Sequence, residues 1–361
     1  MTDIVQFGTS RFLQAHADLF FTEAQNPRRV TVVQTSGDAA RAARLNALAR
    51  ADGFPVRIRG LFDGQTIDET RRVTSVENTL STATEWNEVA SAVGVARALI
   101  SNTGDAGFDP KPPDTDDLPS QAMSFPGKLR HLLRARFEAG GDPLPIYPLE
   151  LVASNGPVLR ERTLQLAAPD APEFRRWLKS CIWAESLVDR IVSEPIEPAG
   201  AVAEPYALWA IQNQPGLAAP AMHPAIQMTD NLESIARLKL HILNLGHTVL
   251  AQSWIEQGRP HGMVVRDYID SKAGAEMMSV MTNEVLPGFA AHGMADESRD
   301  YLAATMERFA NPFLDHQISD IAQNHAQKVN RRIGGFVDWA QKADPMFHAP
   351  RLFRLLGASH Q

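Results

Sequence analysis

Apolar positions in the first half of the chain come in short runs closed by glycine or by a polar cluster. "DIVQFG" is one such run; the helix-like "SRFLQAHADLFFTEA" follows, and then a second run, "RVTVVQTSG". Strand, helix and strand about one crossover apart predict a βαβ unit with parallel pairing. In "FPVRIRGLFDGQTIDETRRVTSV" two β-rich stretches flank Asp63-Gly64, a dipeptide suited to a tight hairpin because both positions tolerate positive φ. "VGVARALISNTG" predicts a helix running into a strand, "SFPGKLRHLLRARFEAG" an amphipathic helix, and "LPIYPLELVASNG" a further strand and turn. Between them, "DPKPPDTDDLPSQ" carries four prolines and four aspartates and reads as an exposed loop.

From about residue 200 the strand pattern fades. "NLESIARLKLHILNLGHTVLAQSWIEQG", "RDYIDSKAGAEMMSVMTNEVL", "DESRDYLAATMERFAN" and "ISDIAQNHAQKVNRRIGGFVDWAQKA" all repeat their apolar positions at helical spacing. The expected organisation is an α/β domain over residues 1–198 and a mainly α-helical domain over residues 199–361.

Composition narrows the function. The 361 residues suffice for two domains, and 44% hydrophobic with 21% charged residues describes a globular protein with a sizeable core. A formal net charge of −7 without a basic block argues against nucleic acid as a partner. Cys181 is the one cysteine, so neither a disulfide nor a cysteine metal cage is expected. The eleven histidines are scattered without an H-x3-H pair, and no metal is expected. No run approaches the length of a membrane span, and "MTDIVQFGTS" lacks the charged-then-apolar order of a secretion signal, so no membrane partner and a cytoplasmic location are expected.

Candidate chemistry falls in two places. In the first half, Gly8 ends the first strand, with Ser10 and Arg11 where a G-x-G-x-x-G loop would carry its later glycines. Such a loop offers backbone N–H groups at a helix start to a pyrophosphate. The tip of the second strand should hold an acid for the adenosine ribose of NAD; Ser36 and Asp38 stand there, while Arg41 and Arg44 just beyond suit a 2′-phosphate, so NADP is not excluded. Asn102 and Thr103, at the end of a later strand, are suited to bonding a ribose or a carboxamide. An ordinary strand-to-helix turn and an ordinary polar loop fit these residues as well.

The second place is "RLKLHILNLGHTVLA". On an α-helix Lys239, Asn244 and His247 fall within an arc of ~140°. An ammonium beside apolar walls loses hydration and gives up its proton more readily. An amide N–H can stabilise a developing alkoxide, and an imidazole can hold the reacting oxygen. A snorkelling lysine, a capping asparagine and a core histidine are the bland alternative for the same three residues.

The K-x4-N-x2-H spacing resembles the polyol-specific long-chain dehydrogenase family, which includes mannitol dehydrogenase and the hexuronate reductases. "FGTSRFLQAH" is similar to that family's G-x-G-x-F-x3-H start through Gly8, Phe12 and His16. "RIRGLFDG", "SNTGDAGF" and "SFPGKL" resemble its next landmarks, "LELVASNG" its acidic-then-Asn-Gly segment, and "SLVDRIV" its V-D-R-I motif. "EPYALWAIQ" and "RFANPFLDHQISDIAQNHAQKVNRRI" resemble its later ones, so the landmarks span nearly the whole chain.

The resemblance implies an α/β N-terminal Rossmann-like domain followed by a mainly α-helical C-terminal domain. It implies a zinc-independent NAD(P)-dependent dehydrogenase with Lys239 as acid/base, Asn244 as oxyanion donor and His247 on the reacting oxygen. Phe12 and Asn155 join the cofactor-binding candidates, and Glu150, Asp189 and Arg190 the substrate-binding ones. Where mannitol dehydrogenase has a second oxyanion asparagine, this chain has Leu151, and its E-L-x3-N-G form is closer to the tagaturonate and fructuronate reductase branch. Lys328 and Arg331 on the late helix form a cationic pair suited to a sugar-acid carboxylate. The chain is also short for the family, which implies trimmed loops. An aldonate/ketohexuronate oxidoreductase is therefore expected, as a monomer or small homo-oligomer acting on a small-molecule sugar acid. A neutral polyol dehydrogenase and a non-catalytic dinucleotide sensor are the alternatives.

Overall fold

The computed structural model describes residues 3–358. The chain forms two compact units, Met1–Ile58 with Glu69–Leu232 and Arg59–Asp68 with Glu233–Gln361. The change of unit after Leu232 lies well beyond the expected boundary at residues 198/199. Three strands beyond that point still belong to the first unit: β11 (Ala201–Ala203), β12 (Leu208–Gln212) and β13 (Ile226–Thr229). They have three to five residues each and are separated by proline-rich connections, too short for a period of two to declare itself.

The earlier strands are β1 (Ile4–Phe7), β2 (Val30–Gln34), β3 (Phe54–Phe62), β4 (Gln65–Val73), β5 (Val76–Ser81), β6 (Ala98–Ser101), β7 (Pro145–Pro148), β8 (Ile182–Trp183), β9 (Ser186–Asp189) and β10 (Val192–Pro195). Six of them form a parallel sheet in the order β5-β2-β1-β6-β7-β8. Counted within the sheet this is 3-2-1-4-5-6, the doubly wound order that binds dinucleotides. Parallel strands buried on both faces read as largely apolar runs rather than alternating ones, as "IVQF", "VTVVQ" and "ALIS" do; every residue of those three strands is buried. The order reverses between β1 and β6, placing the crevice at the carboxyl ends of those two strands, next to Gly8 and Asn102.

One face of the sheet is covered by the helix Phe125–Glu138, which begins where Ser124 accepts a bond from the Gly127 N–H. Leu129, Leu132 and Leu133 of this helix are fully buried against Val5, Phe7 and Leu99. Each contributes roughly 2 kcal/mol of apolar transfer. The anticipated hairpin is present: Asp63 (φ 49°) and Gly64 (φ 72°) make the turn between β3 and β4. Its tip belongs to the second unit, where the Glu307 carboxylate accepts from the Asp63 N–H at 3.1 Å and the Gly64 N–H at 2.7 Å.

The second unit is helical around one core that includes Leu245, Leu250, Met281, Val285, Phe289, Phe336 and Leu352. Among the described residues its helices contain three five-residue π turns, Lys239–Leu243, Met281–Val285 and Asn330–Gly334. A π turn inserts one residue into an α-helix and widens it locally, a rare feature frequent at functional sites. Among the described residues no helix is long and apolar enough to cross a membrane.

Candidate active site

In the first unit the strand-to-helix turn depends on Gly8. Its φ is +126°, and a Cβ there would lie 2.4 Å from the Asn102 carbonyl oxygen, so only glycine lets the two strand ends approach this closely. Ser10 caps the following helix by accepting from the Leu13 N–H, and its hydroxyl donates to Asn102 Oδ1 at 3.2 Å. The Asn102 amide donates to the Leu149 carbonyl at 2.8 Å. Gly8, Ser10 and Asn102 thus form one rigid corner at the reversal point of the sheet. Phe12 is half-buried and stacks on the buried His16 ring at 4.6 Å.

The other expected residues of this unit divide by whether they have hydrogen-bonding capacity left. Asp38 and Ser36 are exposed at the end of β2; Asp38 caps the next helix through the Arg41 N–H, and Ser36 accepts from the Asp38 N–H. Arg11 is turned away from the glycine loop, donating to the carbonyls of Ile196 and Gly200 and pairing with Glu197 at 2.6 Å. Asn155 is fully engaged: its amide donates to the Glu150 and Ser186 carbonyls, and its oxygen accepts from the Gly156 and Ser186 N–H groups. No hydrogen-bonding position remains on it for a cofactor, so its role here is to hold the chain.

Glu150 is buried and accepts from Ser101 Oγ, the Thr103 N–H and Thr103 Oγ1; burial raises its carboxyl above the usual range against those bonds. This ties Thr103 to Glu150 as well. Arg190 is buried, donating to the Glu204 and Ala15 carbonyls, and burial lowers it to about 10. Asp189 is buried at the end of β9. Glu150 and Arg190 brace the unit, and Leu151 is 71% exposed, pointing out of the core. Two residues that the sequence did not mark stand at the end of β2: Lys128 Nζ and Gln121 Nε2 both donate to the Thr35 carbonyl at 2.6 Å.

In the second unit, Lys239, Asn244 and His247 do not lie on the plain α-helix expected. Lys239 opens a π turn, and the Asn244 N–H bonds back five residues to the Lys239 carbonyl. The wider turn stacks Asn244 almost above Lys239, which narrows the arc the three residues occupy. His247 is buried, stacked on Phe309 at 4.4 Å and edge-on to His316 at 4.9 Å. Lys239 and Asn244 are half-buried. The Asn244 side-chain amide makes no hydrogen bond among the described residues, although its backbone carbonyl accepts from Thr248 Oγ1 and Arg332 Nη1.

The late helix also reaches this place. Lys328 is half-buried and donates to the Ile321 carbonyl at 2.7 Å, whereas Arg331 is exposed. The arginine that touches the Asn244 helix is Arg332, which sequence reasoning passed over. Positions three and four beyond Lys328 flank the same helical face, so spacing alone does not choose between Arg331 and Arg332. Burial lowers His316, with Lys328 adding and Asp320 opposing, and burial with Lys328 and Arg332 lowers His325. These imidazoles are therefore neutral near pH 7 and offer hydrogen bonds rather than charge. Among the described residues no group of three His, Cys, Asp or Glu is arranged to hold a metal ion.

Comparison with known proteins gives the arrangement its relatives. A family model described as the mannitol dehydrogenase Rossmann domain matches residues 2–223, and one described as the mannitol dehydrogenase C-terminal domain matches residues 231–350. Altronate oxidoreductase from Escherichia coli is 30% identical over 98% of this chain and 78% of its own length. Altronate oxidoreductase from Halalkalibacterium halodurans is 29% identical over 91% of this chain and 69% of its own. Among solved structures, Pseudomonas fluorescens mannitol 2-dehydrogenase, in a ternary complex with NAD and D-mannitol, matches with a TM-score of 0.73 at 18% identity, over 100% of this chain and 84% of that one. That likeness supports the fold.

Proposed function

The chain belongs to the mannitol dehydrogenase family, and from that premise we propose that it is an NAD-dependent oxidoreductase interconverting an aldonate and a ketohexuronate. Relatives named altronate oxidoreductase, similar over nearly the whole chain, support the substrate class. The 3-2-1-4-5-6 sheet and the glycine-only corner at Gly8 fit a dinucleotide, and in this reading Gly8, Ser10, Ser36 and Asp38 would hold it. Exposed Arg41 and half-buried Arg44 would meet the 2′-phosphate of NADP, and assays with both cofactors read their effect. A cytoplasmic sugar-acid enzyme is the corresponding place and partner.

When bound, a reduced nicotinamide supplies the hydride that the substrate's carbonyl carbon accepts. Lys239 gives its proton to the carbonyl oxygen, completing the alcohol, and recovers it from solvent; oxidation runs the same transfers backwards. The Asn244 amide donates to the oxygen as negative charge develops on it, and His247 orients it. The observation that carries this reading is the unengaged Asn244 amide, stacked one π turn from Lys239 and close in sequence to a buried histidine.

The test is NADH oxidation, then NADPH oxidation, over a panel of ketohexuronates and neutral ketohexoses. Turnover of ketohexuronates such as tagaturonate is expected. Turnover confined to neutral ketoses would move the protein to the polyol side, and tight NADH binding without turnover of any sugar would make it a dinucleotide sensor.

A further inference from the structure

Lys328 and Arg332 stand one turn apart on the late helix, both half-buried. Like charges this close oppose each other's ionisation, and partial burial adds to the effect. Burial and Arg332 lower Lys328, while burial and Arg331 lower Arg332 to about 10. A resident carboxylate would relieve that strain, yet among the described residues no acid pairs with either cation. Their hydrogen bonds go to uncharged oxygens instead: Lys328 Nζ to the Ile321 carbonyl, and Arg332 Nη1 to the Asn244 carbonyl at 3.1 Å and Thr248 Oγ1 at 3.0 Å.

Arg332 spends only one corner of its guanidinium on these bonds. The Nε–Nη2 edge, the fork that matches the two oxygens of a carboxylate, makes no hydrogen bond among the described residues and is not sealed from solvent. The neighbouring His325 ring has Nε2 against Gln252 Oε1 at 2.8 Å and leaves Nδ1 buried without a partner. A half-buried pair of cations with an open fork and no internal counter-charge is arranged for an anion that comes and goes.

We propose that Arg332, with Lys328 beside it, binds the carboxylate of the sugar acid through the Nε–Nη2 edge while Nη1 stays tied to the helix that carries Asn244. The proposal rests on the sugar-acid reading above and gives the recognition to Arg332 rather than Arg331. It refers both ends of the substrate to one helix: the carboxylate through Arg332, the reacting oxygen through Asn244. A ketose without the carboxylate leaves the cation pair unneutralised, which disfavours it.

The experiment compares Arg332→Gln, Arg332→Lys and Arg331→Gln for ketohexuronate kinetics, neutral-ketose kinetics and NADH affinity. Arg332→Gln should lose about 100-fold in kcat/KM for the ketohexuronate, chiefly through KM, with NADH affinity kept and neutral-ketose turnover raised, because the variant removes one of the two unneutralised charges. Arg332→Lys keeps the charge without the fork and should lose about tenfold, which carries the test if the glutamine variant does not fold. Arg331→Gln should stay within about twofold. The proposal is overturned by an equal loss in Arg331→Gln, by an unchanged uronate KM in either Arg332 variant, or by a parallel fall for neutral ketoses, which would mark a purely structural arginine. If the unmodified protein turns over no ketohexuronate, the sugar-acid reading falls and takes this inference with it; the variant results overturn the inference alone.

Discussion

The amide of Asn244 is half-buried and unengaged, whereas the amide of Asn155 is buried with all four of its hydrogen-bonding positions filled. Both residues were legible as candidates, since each stands in a recognisable motif. A motif lists residue types, and the difference between an occupied and a free amide comes from backbone groups far along the chain, such as Ser186. The two should respond oppositely to alanine. Asn244→Ala should lower kcat by about 100- to 1000-fold while leaving the melting temperature and NADH binding near their starting values, as for removal of one oxyanion donor. Asn155→Ala should instead lower the melting temperature, because several buried backbone groups lose their partner, with activity per folded molecule largely retained. Stopped-flow and calorimetric measurements on the two variants separate these outcomes. A thermal loss in Asn244→Ala matching that of Asn155→Ala would show that its amide is structural after all.

Three π turns shape the helical unit, and two of them carry the residues of the candidate site. In "KLHIL" an inserted residue leaves no visible gap, because leucine and isoleucine recur so densely between the polar residues that the helical period blurs. The existence of the helices was legible for that reason, and their phase was not. Inserting one alanine after Leu240 should shift the register of the turn by a residue and rotate Lys239 by about 100° relative to Asn244. Turnover is expected to fall at least about 100-fold with helix content preserved in circular dichroism. Full activity in the insertion variant would mean that the register of this turn plays no part in aligning the site.

At the scale of the molecule, the first βαβ unit was readable because β1 and β2 are short, fully buried and largely apolar runs with a helical stretch between them. The end of the first unit was not, since β11 to β13 are short and their pairing is decided by β3 and β9. The first unit also buries Asp18, whose carboxyl is raised to about 8 by burial, with Gln6 opposing. An acid raised in the folded state from 3.8 binds a proton that the unfolded chain has released, so stability is lost progressively as pH climbs from about 4 to about 8. Asp18→Asn should flatten this dependence. Melting curves at the two ends of that range should show wild type losing on the order of 5 °C more than the variant, and parallel losses would place the effect elsewhere.

Proton transfer by Lys239 is the step on which the proposed activity depends, and one comparison tests it most directly. Single-turnover reduction of a ketohexuronate by Lys239→Ala, set beside NADH affinity for the same variant, should show turnover down by about a thousandfold with NADH affinity unchanged. A fall of only a few-fold would leave Lys239 an ordinary helix lysine and contradict the assignment of the site.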